Sequence, residues 1–160
     1  MITQERLKEL FVYGDGELVR RVSVSSNAKA GDIAGSLHSD GYTRIFVDNK
    51  IYLAHRLIWL YHYGYLPKYL DHKYGKENGD YLWNLRSCTS SQNQHNSNIY
   101  INNTSGFKGV SWHKPSGKWR ARIMANGSWD CLGLFYDKEV AAQVIRIERL
   151  KIHGEFANHG

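Results

Sequence analysis

Cysteine, proline and methionine each occur only twice in 160 residues, and no apolar run is long. Cys88 and Cys131 lie far apart and neither belongs to a Cys-x-x-Cys pair, which argues against a disulfide framework and against a structural zinc site. Such cysteine usage suits a reducing, cytoplasmic setting. No apolar stretch approaches the roughly 20 residues that span a bilayer. The opening Met1-Ile2-Thr3-Gln4-Glu5-Arg6 turns polar at once, unlike a secretory leader. A soluble, unsecreted protein with no membrane partner is the expectation. Acid is also missing locally: residues 101–129 contain Lys108, Lys114, Lys118, Arg120 and Arg122 but no Asp or Glu.

What the chain does have is basic charge and aromatic rings. The net charge is +6 and Phe, Trp and Tyr make up 13% of the residues. Basic and aromatic groups together suit a nucleic-acid surface, although a basic balance alone is weak evidence. At this length the chain makes one ordinary domain or two small ones with modest cores.

Taken in order, Leu7, Leu10 and Phe11 recur at helical spacing after Thr3, a candidate N-cap, and Gly14-Asp15-Gly16 ends that segment. Residues 17–40 alternate poorly, with a strand or two expected in 17–24. Residues 42–47 and 51–54, joined by Asp48-Asn49-Lys50, predict a hairpin from their β-branched and aromatic content. Residues 55–63 follow as an amphipathic helix closed by Gly64. Pro67 forces a turn before a strand at Asp71-His72, residues 73–81 form a polar loop, residues 82–86 return, and Thr89 or Ser90 caps a short helix containing Asn93.

Asn102-Asn103-Thr104-Ser105-Gly106 has linker composition. The expected division is therefore residues 1–98, a linker at 99–105, and a second domain at 106–160. In the latter, residues 107–113, 118–125 and 129–135 are strand-like, and Asn126-Gly127 is a type I′ hairpin signal. Asp137 caps a last helix running to about residue 152. The fold class is thus α+β, the second domain being a three-stranded antiparallel sheet covered by one helix.

Chemistry concentrates at Leu70-Asp71-His72-Lys73, Asn84-Leu85-Arg86 and Gln92-Asn93. Hydrolysis of a phosphodiester takes a base for water and a cation for the charge building on phosphate and leaving oxygen. An imidazole can accept a proton near neutral pH, so His72 suits the base. Asp71 offers a hard oxygen and Asn93 a carbonyl oxygen, donors suited to Mg²⁺. One geometric condition follows. Adjacent strand residues point to opposite faces, so the strand must end, bulge or twist at Asp71-His72 if both are to reach one phosphate.

Asp71-His72, Gly75, Asn84-Leu85-Arg86 and Gln92-Asn93 resemble the HNH endonuclease motif in its ββα-metal form, with a core at about 51–98. The segment Tyr52-Leu53-Ala54-His55-Arg56-Leu57-Ile58-Trp59-Leu60 resembles what precedes that motif in phage-type members. The resemblance implies that His72 is the general base, that Asp71 and Asn93 hold one divalent cation (Mg²⁺, with Mn²⁺ able to substitute), and that Asn84 braces the loop. Members commonly read Asp-His-Ile-Asn-Gly-Asp, whereas Lys73-Tyr74-Gly75-Lys76 follows the pair here, and Asp80-Tyr81 replaces Asn-Arg. His95 is an alternative ligand beside Asn93. His55 is open between a DNA contact and a packing or helix N-terminal role.

A second resemblance covers residues 106–158. Phe107-Lys108-Gly109-Val110, Gly117-Lys118-Trp119-Arg120-Ala121-Arg122-Ile123, Leu132-Gly133-Leu134-Phe135 and the alanines at 141 and 142 resemble an AP2 DNA-binding domain. That family lays its sheet in the major groove of double-stranded DNA. Lys118, Arg120 and Arg122 fall on one face by period-2 geometry, Trp119, Ala121 and Ile123 on the other. Lys108 and the rings of Trp119 and Trp129 complete the expected DNA-binding set, the rings also being candidates for the core beneath the sheet. Together the two resemblances imply a phage or homing endonuclease acting in the host cytoplasm, with a monomer favoured. The rival is a non-catalytic DNA-binding regulator that keeps a relic nuclease fold.

Overall fold

The computed structural model describes residues 2–96, 99 and 101–160, apart from the side chain of His95. It is a mixed α and β protein whose strands pair into several small antiparallel sheets. The chain divides into two compact units, Met1–Thr89 and Ser90–Gly160.

The first unit opens with α1 (Gln4–Leu10), where the Thr3 hydroxyl accepts a hydrogen bond from the Arg6 amide at 3.2 Å. This satisfies one of the donors that a helix N-terminus leaves unpaired. Phe11, expected on the helix, instead starts β1 (Phe11–Gly14), which pairs with β2 (Glu17–Arg20). The reason lies in the turn. Asp15 and Gly16 both take positive φ, so residues 14–16 close a hairpin rather than end a helix, and the Phe11 ring is buried from the strand.

A short β3 (Ser36–Leu37), with no clear sequence signal, joins β4 (Thr43–Val47) and β5 (Lys50–Leu53). The expected hairpin turns at Asp48-Asn49, both at positive φ. Next comes α2 (Ala54–Tyr63), ended by Gly64 in the left-handed conformation. Its Leu57, Ile58 and Leu60 meet Leu7, Leu10, Phe11, Leu18 and Ile45 in the core. That core is the platform for the hairpin of β6 (Tyr69–His72) and β7 (Leu85–Cys88), to which Leu85 and Leu70 contribute. Residues 82–84, expected to extend the returning strand, form a 3₁₀ turn instead.

The second unit begins with α3 (Ser90–His95). Its sheet has the order β10-β9-β8, built from β8 (Val110–His113), β9 (Lys118–Ala125) and β10 (Ser128–Phe135). Residues 107–109, expected as strand, precede β8 in a turn, since the Val110 amide donates to the Phe107 carbonyl at 3.2 Å. Asn126 and Gly127 take the positive φ of a type I′ turn. The last helix, α4 (Lys138–His153), is capped by Asp137, whose carboxylate accepts from the amides of Glu139 and Val140. Ala141, Ala142 and Ile145 of α4 pack on Val110, Ala121 and Ile123. Small residues on the helix let it lie close to the strands. No helix among the described residues is long and apolar enough to cross a membrane.

Candidate active site

Asp71 and His72 end β6, whose register with β7 sets Asp71 opposite Arg86 and His72 opposite Leu85. The pairing runs without a bulge through both residues, and the Lys73 amide still donates to the Asn84 carbonyl at 2.7 Å, so the expected break in the strand at this pair is not there and alternation sends the two side chains to opposite faces. Each side chain meets its own partner. Asp71, 7% exposed, accepts from Arg86 Nε at 2.9 Å, and Nη2 of the same guanidinium lies 2.9 Å from the same oxygen. His72, 6% exposed, is 2.7 Å from Asp80 through Nε2. A carboxylate accepts hydrogen bonds, so in a neutral imidazole this contact favours the tautomer with its proton on Nε2.

The 73–81 loop that carries Asp80 is held from below by Asn84, whose side chain is 0% exposed. Its Oδ1 accepts from the Tyr74 amide at 2.9 Å, while Nδ2 donates to the carbonyls of Gly75 at 3.0 Å and Gly79 at 2.8 Å. Only a primary amide offers one acceptor and two donors in so small a volume. The 3₁₀ turn at 82–84 aims that amide inward, which a continued strand would not do. Gly79 is covalently next to Asp80, so the brace sets the position of the carboxylate that orients His72.

His55 completes the buried group. It lies in the first turn of α2, is 5% exposed, and its ring centroid is 4.9 Å from that of His72 at an interplanar angle of 65°. Burial, and secondly the neighbouring His72, pull the His55 imidazole down to about 4. Its Nδ1 is buried without a hydrogen-bond partner. One ligand atom each of His55, His72 and Asp80 falls within 4.8 Å of the others. Tyr42 packs on both rings, 5.5 Å from His55 and 6.1 Å from His72. Burial first, then the charges of Asp40, Asp71 and Asp80, raise its phenol.

Asp80 and His55 were not among the residues expected to carry the chemistry. The only trace of Asp80 in the sequence is its departure from the Asn of the HNH pattern. His55 was visible in the segment ahead of the motif, but nothing local aims it at His72.

In the second unit, Asn93 is exposed on α3, and the His95 side chain lies outside the described residues. On β9 the expected alternation is present: Ala121 and Ile123 are buried under α4, while Arg120 and Arg122 lie between them on the other face. Trp119 packs against the core and meets Trp112 edge-on at 5.1 Å. Trp129 is 54% exposed and lies under the Arg122 guanidinium, 4.5 Å from ring centroid to Cζ. Lys118 sits 4.3 Å over the Tyr136 ring, and Arg120 Nη2 is 3.5 Å from the Ser111 hydroxyl. Lys108 is half-buried. Burial, then the charge of Arg149, lower its amine to about 8, and buried Arg149 donates to the Lys108 carbonyl at 2.8 Å. Lys108, Arg122, Trp129 and Arg149 share a cleft of about 480 Å³.

Comparison with known proteins agrees with this geometry at the level of family. Residues 52–95 match the HNH endonuclease family, a segment that contains His55, Asp71, His72, Asp80, Asn84 and Asn93. The chain is 36% identical over 105 residues to Protein 3.8 of Escherichia phage T7, an alignment covering 64% of this chain and 86% of that protein. No solved structure matches at a significant level. The chain belongs to the phage family that includes Protein 3.8, and it carries an HNH endonuclease domain at residues 52–95.

Proposed function

We propose that the protein is a DNA endonuclease in which His72 is the general base for phosphodiester hydrolysis, with one divalent cation as cofactor and the second unit as the DNA-binding module. The observation that carries this reading is the buried His72–Asp80 pair at 2.7 Å, within the segment that matches the HNH family. Water gives its proton to Nδ1 of His72. Asp80 keeps the other nitrogen protonated and stabilises the imidazolium that forms. Asn84 holds the loop, and through it Asp80, in place. Asp71 offers carboxylate oxygens and Asn93 a carbonyl oxygen, the donor types that Mg²⁺ and Mn²⁺ take, and these are the two residues that would hold the cation by the HNH pattern. The cation supplies neutralisation of charge on the phosphate and the leaving 3′-oxygen.

The second unit reads as an AP2-like domain whose basic face meets duplex DNA. Support comes from Lys118, Arg120 and Arg122 standing opposite the core face of β9 and from the exposed Trp129 beneath Arg122. Arginine pairs with guanine edges or with phosphates. The enzyme is of the free-standing or homing kind and acts as a monomer in the cytoplasm of the host cell.

Supercoiled plasmid incubated with the protein and Mg²⁺, with EDTA as control, tests the activity directly. Wild type is expected to nick or linearise the plasmid only with the cation. His72→Ala should abolish cleavage while DNA binding survives. One observation favours the rival reading of a non-cleaving DNA-binding regulator: Asp71 is already ion-paired with Arg86. Intact plasmid in every condition, with DNA still bound, would establish that rival.

A further inference from the structure

We infer that His55, His72 and Asp80 form a second cation seat, selective for a transition ion such as Zn²⁺ or Co²⁺ over Mg²⁺, and that filling it silences His72 as a base. The donor set is two imidazoles and one carboxylate, with one ligand atom of each inside a 4.8 Å span. Bonds of about 2.0–2.1 Å to a tetrahedral ion put neighbouring ligand atoms roughly 3.3 Å apart. The His72–Asp80 contact of 2.7 Å opens slightly to admit an ion, and the widest gap closes. Three protein ligands leave a fourth position for water or phosphate.

A second observation points to a ligand here. His55 Nδ1 is a buried polar atom with no hydrogen-bond partner, and such an atom costs stability unless something satisfies it. His55 is held at the trio by the first turn of α2 and by its ring contacts with Tyr42 and His72. The HNH pattern assigns no role to His55 and carries Asn, not an acid, at the place of Asp80. Asp80 lines a cavity of about 290 Å³ that Asp15, Glu17 and Glu77 share with Lys76, so its rim is acidic on balance.

Selectivity follows from donor chemistry. Imidazole nitrogens suit zinc, cobalt, nickel and copper, whereas Mg²⁺ prefers oxygen and gives up water reluctantly. The trio therefore differs from the oxygen donors of Asp71 and Asn93. Silencing follows from proton placement and rests on the proposed role of His72. A neutral imidazole carries one proton. When Nε2 binds an ion in place of its hydrogen bond to Asp80, that proton moves to Nδ1, and the nitrogen that accepts from water becomes a donor.

Titration of the metal-stripped full-length chain with Co²⁺ tests the seat. The expected result is one ion per chain with the visible absorption of a four- or five-coordinate site, displaced by Zn²⁺ and not by excess Mg²⁺. His55→Gln and Asp80→Asn should each weaken it by roughly 10–100-fold or more, since losing even an outer partner of a ligand costs that much. Asp80→Asn guards against a misfolded His55 variant, because it keeps the size of the side chain and a hydrogen bond to His72. Asp71→Asn should leave Co²⁺ affinity unchanged. No visible band, a band that persists in both trio variants, or one lost with Asp71→Asn overturns the seat. Added Zn²⁺ should stop Mg²⁺-dependent plasmid cleavage over the range in which it displaces Co²⁺, and cleavage that persists at saturating Zn²⁺ overturns the silencing. A chain that binds Co²⁺ through the trio yet never cuts DNA with Mg²⁺ overturns the nuclease reading and upholds the seat.

Discussion

Replacing Asn84 by Ala removes a side chain that ties three points of the 73–81 loop together. The amide accepts from Tyr74 and donates to Gly75 and Gly79 from a fully buried position. At about 1 kcal/mol net per hydrogen bond the loss is about 3 kcal/mol, with more where a carbonyl stays buried and unpaired. That is a large share of the 5–15 kcal/mol of a typical domain. Asn84→Asp keeps the acceptor and loses both donors, so about 2 kcal/mol goes, plus the cost of a buried charge. Urea denaturation followed by far-ultraviolet circular dichroism measures the global change. Amide exchange at Tyr74 measures the local one, and its protection should collapse in the Ala variant. Because Gly79 adjoins Asp80, the released loop also frees the carboxylate that orients His72. Plasmid cleavage should then fall by about 100-fold, the scale of an ångström of misplacement. An Asn84→Ala protein within 0.5 kcal/mol of wild type, with Tyr74 still protected, would refute the brace.

Three further outcomes are expected. His55 has a folded pKa of about 4, below its unfolded 6.5. The unfolded chain thus binds more protons between those values, and stability falls with falling pH by about 2 kcal/mol from pH 7 to pH 5. Urea midpoints across that window should show the loss, and His55→Gln should flatten it. Gly109→Ala should unfold the second unit's sheet: φ is +82°, and an added Cβ would lie 2.7 Å from the Arg122 carbonyl oxygen and 2.2 Å from Ile145 Cδ1, a clash worth more than about 3 kcal/mol that thermal melting would reveal. Arg120→Ala with Arg122→Ala should weaken DNA binding and lower the slope of log K against log salt by about one unit per lost phosphate contact. An unchanged slope points that face away from DNA.

Local chemistry was legible wherever it acts within a few residues. Thr3 and Asp137 cap helices, Gly64 ends one, and Asn126-Gly127 turns a hairpin, because each effect depends on side chains meeting their own neighbouring backbone. Phe11 was misassigned because apolar spacing of 7, 10 and 11 fits a helix, while the pairing of Phe11 with Arg20 depends on a turn five residues away. Residues 82–84 carry strand-like content, yet Asn84 turns inward to satisfy a loop whose partners lie five to ten residues back. Asp71, His72 and Asn84 stand out in the sequence through their resemblance to the HNH pattern. The partners do not. Arg86 at Asp71 follows from strand register, whereas Asp80 at His72 and His55 beside it follow from how α2 and the loop pack on one core.

Asp80 changes the logic of the site more than its size suggests. An Asn at this place offers His72 either a donor or an acceptor, so it fits both imidazole tautomers. A carboxylate accepts only. It favours the tautomer with the proton on Nε2 and would stabilise the ring once charged, both of which suit the base proposed for His72. The same negative oxygen beside two imidazoles completes a set of transition-metal donors that an amide would make weaker. On the proposed reading, orientation of His72 and affinity for ions such as Zn²⁺ would therefore be two consequences of one residue. Asp71 shows the opposite arrangement, an acid whose charge is already met by Arg86 at 2.9 Å. A cation reaching Asp71 has to displace or share that guanidinium, whereas an ion at the trio takes the place of the hydrogen bond between His72 and Asp80.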